Sequence, residues 1–146
     1  MKILWTDGSA IPNPGVGGFA VIEEIEPGVG SPVALGREEN STNIRMEGKA
    51  MIAAIKHAID SGEDSVEIHS DSEFWINVLS KWAPAWKKNG WKKKTGEIKN
   101  LDIVKELYDL YDGFPVRLVW VRGHVGTKLN EMADEWANKA RQGESI

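Results

Sequence analysis

The chain has 146 residues, 41% of them hydrophobic and 27% charged, a balance that suits one globular domain and excludes disordered and fibrous classes. Cysteine is absent, which excludes a disulfide scaffold, a thiolate metal site and a thiol nucleophile, and no apolar run approaches the roughly 20 residues that cross a bilayer. The net charge of −4 is unevenly spread: seven lysines between Lys81 and Lys99 meet only Glu97, leaving +6 there and −10 over the remainder, and a basic patch on an acidic body attracts polyanions.

The opening Met1–Asp7 reaches a carboxylate too soon for a secretory signal, and with no cysteine a reducing, cytoplasmic location is expected. Residues 2–7, with Ile3-Leu4-Trp5, read as a short buried strand ended by the turn signal Asp7-Gly8-Ser9. The two prolines and three glycines from Ile11 to Gly18 predict a loop. Strands over 19–25 and 32–38, joined by Pro27-Gly28-Val29-Gly30, complete an antiparallel meander. From Arg45 to Asp60 the period becomes helical, with Met51, Ile52, Ile55, Ala58 and Ile59 on one side. A fourth strand over Ser65–Ser70 precedes a helix over 72–80, a shorter helix over 82–88, the lysine-rich loop and a helix over 98–112. The last strand spans Val116–Arg122, and the last helix, 128–141, carries Leu129, Met132, Ala133, Trp136 and Ala140 as its apolar stripe. Strand–helix–strand order predicts parallel pairing with a right-handed crossover, hence an α/β domain with a mixed sheet.

Four acids stand at the ends or exposed faces of these elements. Asp7 ends the first strand, Asp71 follows the fourth, Glu47 lies in the first turn of the first helix, and Asp134 lies off the apolar stripe of the last. In sheets of this class functional groups collect beyond the carboxyl ends of parallel strands. Two Mg²⁺ ions would offset the repulsion of such a cluster, since hard cations prefer carboxylate oxygen. Taken singly, Asp7-Gly8 reads equally as a turn, Glu47 as a helix-dipole partner, Ser70-x-x-Glu73 as a capping box that leaves Asp71 incidental, and Asp134 as a solvated residue.

Together the residues resemble a known family. Thr6-Asp7-Gly8-Ser9 with Asn13-Pro14-Gly15 and Gly17-Gly18 resembles the opening motif of type 1 ribonuclease H. Thr42-Asn43-Ile44-Arg45-Met46-Glu47 resembles its second motif, Ser70-Asp71-Ser72 its third, and Trp120-Val121-Arg122-Gly123-His124-Val125-Gly126 with Asn130 and Asp134 its last. The four occur in family order over nearly the whole chain, and the lysine-rich segment with Trp82, Trp86 and Gly90-Trp91 is similar to the family's basic protrusion. The resemblance implies a ribonuclease H-like fold: a five-stranded mixed sheet with three antiparallel N-terminal strands and helices on both faces. It implies endonucleolytic hydrolysis of the RNA strand of RNA–DNA hybrids with Mg²⁺ or Mn²⁺, leaving 5′-phosphate and 3′-hydroxyl ends. Asp7, Glu47, Asp71 and Asp134 carry over as metal ligands and His124 as an auxiliary in proton transfer or release. Two metals about 4 Å apart can activate water and stabilise the leaving oxygen, so no side chain need be the nucleophile.

By the same likeness Ser9, Asn13, Asn43 and Glu73 read the minor groove and its 2′-hydroxyls, and Thr42 with Asn13 holds a DNA-strand phosphate. Asn13 and Asn43 also read as turn residues. In the protrusion Trp82, Trp86 and Trp91 accompany Lys87, Lys88, Lys92, Lys93 and Lys94; the lysines suit phosphates, and Trp82 and Trp86 share a face suited to packing on the body. Three positions depart from the family pattern. Ile44 stands where many members have Asn or Gln, Glu73 where several have Gln, and Gly48 should cost its helix about 1 kcal/mol relative to Ala. The expectation is a monomeric, metal-dependent hybrid ribonuclease; the alternatives are a non-catalytic hybrid-binding module and a DNA-acting nuclease of the same superfold.

Overall fold

In the computed structural model, residues 1–93, 96–122 and 127–146 are described. Strands β1 (Lys2–Ile11), β2 (Gly15–Glu26) and β3 (Val29–Ser41) form the antiparallel meander. Helix α1 (Asn43–Asp60) leads to β4 (Val66–Ser70), which lies parallel to β1. The chain continues through α2 (Glu73–Asn77), a π-helical turn (Val78–Trp82), α3 (Ala83–Lys88) and α4 (Leu101–Gly113) to β5 (Val116–Trp120) and α5 (Lys128–Arg141). The sheet order is β3-β2-β1-β4-β5, with β5 parallel to β4. The expected mixed five-stranded sheet is therefore present.

β1 is the central strand, and burial on both faces explains its unbroken Ile3-Leu4-Trp5 run. Leu4 enters the larger core with Met51, Ile55, Ile68, Trp75 and Leu107, beneath α1 and α4. Trp5 points the other way, into a smaller core with Ile22, Leu129 and Ala133 beneath α5. Helices thus cover both faces. Within α5 it is Ala137, not Trp136, that joins Leu129, Ala133 and Ala140 in full burial; Trp136 and Met132 lie on the flank of the stripe.

The meander departs from expectation in length. β1 does not stop at Asp7: Gly8, Ser9 and Ala10 continue its pairing, opposite Phe19, Gly18 and Gly17. The predicted loop shrinks to Pro12-Asn13-Pro14. Gly8 is there for close approach rather than for a turn. A Cβ on it would lie 2.5 Å from the backbone nitrogen of Glu47, so only glycine lets α1 rest directly on β1. β3 is also longer than predicted and tolerates Pro32 because it is an edge strand, with pairing irregularities on both sides of that residue.

The two helices expected over 72–80 and 82–88 are joined by the π turn. Pro84 has no N–H to offer the carbonyl of residue 80, and the Ser80 hydroxyl donates back to the Ile76 carbonyl at 2.6 Å, so regular α pairing is interrupted here. Gly48 also has a packing reason. A Cβ there would sit 2.6 Å from Cζ2 of the fully buried Trp75, whose indole N–H donates to the Ile44 carbonyl at 2.7 Å. The gap in α1 is the seat for α2.

Candidate active site

The parallel register that sets Trp5 beside His69 carries Asp7, two residues on, abreast of Asp71 just past the end of β4. Glu47 reaches the same point from α1. Because α1 begins at Asn43 with Thr42 as its N-cap, Glu47 occupies the second turn rather than the first, which removes the simple helix-dipole reading. One ligand oxygen from each of Asp7, Glu47 and Asp71 lies within 4.8 Å of the others. Asp134 lies outside that group of three, yet its charge bears on Asp7 from α5.

Asp7 is only 6% exposed, and burial pushes its carboxyl far above the usual carboxylate range. The charges of Asp71, Asp134 and Glu47 push the same way, opposed by the Gly8 amide, which donates to its Oδ1 at 2.9 Å. Glu47 is raised to about 7, chiefly by burial and further by Asp71, while a hydrogen bond from Ser72 acts against the rise. An all-oxygen set that resists full ionisation unless a cation joins it is the donor chemistry of a hard divalent metal, not of zinc or copper. The three acids could hold such an ion.

Ser72 went unread as a separate feature in the sequence. It is buried, and its hydroxyl accepts from the Trp75 amide at 3.2 Å, so it caps α2 and removes the alternative reading of Ser70 as the start of a capping box. Ser70 Oγ instead accepts from the Ser72 amide at 3.0 Å. The acidic first-turn residue Glu73 was the available signal, but it marked Ser72 as the preceding cap, not a box begun at Ser70.

The polar residues expected at the groove come from several elements. Asn13 Oδ1 accepts from the Asn43 amide at 3.1 Å, and Asn43 Oδ1 accepts from the Ala10 amide at 2.7 Å, which ties the proline loop to the start of α1. Both carboxamide oxygens are thereby engaged. Ser9 lies on β1 beside α5, and Glu73 is exposed. Arg45, not singled out in the sequence, donates to Glu38, Asn100 and both oxygens of Asp102, linking β3, α1 and α4.

In the basic segment Trp82 is 40% exposed, whereas Trp86 and Trp91 pack partly against the larger core. Trp91 meets the Tyr108 ring edge-on at 6.2 Å. Ile44, Phe74, Trp82, Trp86, Lys93 and Lys99 line a cavity of about 350 Å³ with an apolar floor and a basic rim. Lys87, Lys88, Lys92 and Lys93 are exposed. Lys94 and His124 lie outside the described residues.

Comparison with known proteins gives concordant matches. The family model "RNase H" matches residues 1–142. The chain is 37% identical over 140 residues to a protein of Methylorubrum extorquens named Ribonuclease H, covering 96% of this chain and 60% of that one. It is 41% identical over 141 residues to a Ribonuclease H of Francisella philomiragia, covering 94% of this chain and 89% of that one. Among solved structures, LC11-RNase H1 in complex with RNA/DNA hybrid superposes with a TM-score of 0.71 at 22% identity, covering 98% of both chains, a likeness of fold.

Proposed function

The chain belongs to the ribonuclease H family, and from that premise we propose that it hydrolyses the RNA strand of RNA–DNA hybrids endonucleolytically, leaving 5′-phosphate and 3′-hydroxyl ends. The observation that carries the reading is the convergence of Asp7, Glu47 and Asp71 within 4.8 Å. These three, with Asp134 from α5, are the groups that would hold two Mg²⁺ or Mn²⁺ ions. When bound, such a pair supplies an activated water and stabilises the departing 3′-oxygen in an in-line displacement.

The residues of the chain do the rest. The four acids bind and orient, and Ser72 steadies Glu47 by a hydrogen bond from an otherwise buried hydroxyl. Asn13 and Asn43 spend their oxygens on backbone amides, which leaves their N–H donors for a nucleic-acid strand crossing the loop; Thr42, the N-cap of α1, and Glu73, at the start of α2, complete the substrate-binding set. The lysines of the basic segment, Lys87, Lys88, Lys92, Lys93 and Lys94, hold phosphates without reading sequence. Above the apolar floor, the exposed Trp82 and the half-buried Trp86 offer ring edges to sugars, with Trp91 supporting them from the core side. His124 serves as an auxiliary for proton transfer or release, the work for which histidine is the usual side chain. We read the chain as one domain acting as a monomer in the cytoplasm; among the described residues no helix is long and apolar enough to cross a membrane.

Purified protein is assayed on labelled hybrid, duplex RNA and duplex DNA, each with Mg²⁺ and with EDTA. Cleavage confined to the hybrid, lost in EDTA and in Asp71→Asn, is the expected result. Tight binding without cleavage would replace this reading with that of a hybrid-binding module, and cleavage of duplex DNA with that of a DNA nuclease.

A further inference from the structure

Side chains two residues apart on a strand share a face, as do those four apart on a helix. Asp7 and Ser9 are so related on β1, and Asp134 and Asn138 on α5. The two pairs face each other. Asp134 acts electrostatically on Asp7, and one step further the Ser9 hydroxyl donates to Oδ1 of Asn138 at 3.4 Å. A strand advances about 6.7 Å in two residues and a helix about 6 Å in four, so β1 and α5 keep pace over this distance. The result is a two-step polar track, acidic at the reaction centre and uncharged one step away.

Packing does not account for the second step. On α5 the helix-to-sheet contact falls to Ala133, Ala137 and Ala140, whereas Ser9 and Asn138 are only half-buried. A carboxamide whose oxygen accepts from Ser9 turns its two N–H donors away from Ser9. The step is also comparable with that between neighbouring phosphates of a nucleic-acid strand.

We propose that Asn138 is a substrate-positioning residue, donating from its amide to the sugar–phosphate backbone of the cleaved strand one nucleotide from the scissile phosphate, with Ser9 fixing the amide's orientation. The inference rests on the hybrid-cleaving reading and adds a contact to it. Two oxygens of the same nucleotide fit the donor, the ribose 2′-oxygen and a non-bridging phosphate oxygen.

The test compares wild type, Asn138→Ala, Ser9→Ala and the double variant on hybrids carrying a single 2′-deoxy or methylphosphonate substitution at successive positions. Asn138→Ala is expected to raise KM about five- to tenfold with kcat within about twofold, the loss of one hydrogen bond to a polar or charged group. Ser9→Ala should add little in the Asn138→Ala background, because the two act as one unit. Wild type should be sensitive to substitution one nucleotide from the cut, and Asn138→Ala insensitive there; the substitution that matters, 2′-deoxy or methylphosphonate, identifies the oxygen. An unchanged KM, or the same sensitivity to every modified position in both proteins, overturns the proposal. Should wild type bind but not cut the hybrid, the functional reading falls while anisotropy still tests this contact: undiminished hybrid affinity in Asn138→Ala overturns it.

Discussion

At the scale of single residues, the candidate site stores unfavourable electrostatics. Asp7 is buried beside three like charges, with one backbone amide opposing them. Replacing its carboxyl with an amide removes the cost of burying a charge or taking up a proton there, together with a ligand. Asp7→Asn should therefore unfold at higher temperature than wild type in EDTA at about pH 8, yet lose hybrid cleavage by about 100-fold or more. Thermal melts beside the cleavage assay check both signs; a variant that melts lower would contradict the electrostatic account. The meeting of Asp7, Glu47 and Asp71 was legible in the sequence through the order of the motifs that carry them, whereas the element ends read for Asp7 and Glu47 were not those of the structure. Ser9's partner was not legible, since nothing local couples position 9 to position 138. Neither was Arg45, whose partners Glu38, Asn100 and Asp102 come from separate stretches of chain.

Among elements, the contact of α1 with α2 shows how local preference and packing can oppose each other. Helix propensity alone makes Gly48→Ala favourable by about 1 kcal/mol. The Trp75 ring leaves no space for the methyl group, and overpacking of this kind costs about 1–3 kcal/mol. Gly48→Ala is expected to be net destabilising, by up to about 2 kcal/mol, in urea unfolding. A gain in stability would mean that Trp75 shifts freely. The same opposition explains which elements could be read from the sequence. α1 and α5 announced themselves through long apolar periodicity, whereas the end of β1 was hidden because Asp7-Gly8-Ser9 has the composition of a turn. Its glycine answers to a helix some forty residues away along the chain. The π turn was equally hidden, since Pro84 predicts an interruption but not how the backbone accommodates it.

Across the whole molecule two groups of acids set opposite pH dependences. Burial would raise Glu38, but hydrogen bonds from Arg45 and Lys49 outweigh it and hold the carboxyl at about 2. Hydrogen bonds from Lys2 and Arg45 lower Glu23 and Asp102 respectively. These groups contribute stability that is present above the ordinary carboxylate range and lost as pH falls through their lowered values. Glu47, at about 7, and Asp7 behave conversely: the folded state binds their protons more tightly, and stability falls as pH rises through that range. Metal-free protein should thus be most stable near pH 5 or so, with millimolar Mg²⁺ lifting the alkaline side. Melting temperature measured against pH in EDTA and in Mg²⁺ tests this; an alkaline decline that Mg²⁺ leaves untouched would place its origin elsewhere. Charge segregation acts over a longer range. Replacing Lys92, Lys93 and Lys94 together with alanine should raise KM more than it lowers kcat and flatten the salt dependence of KM. Unchanged KM at moderate salt would separate the basic segment from substrate binding.

The meeting of Gly8 with the Glu47 amide joins main chain to main chain. The interval between the acids of β1 and α1 is therefore gauged by peptide units, which are the same in every relative, and not by the bulk of intervening side chains. Cores on either side can exchange their hydrophobes over evolutionary time without retuning the reaction centre, which leaves a lineage wide latitude for drift while its chemistry stays calibrated.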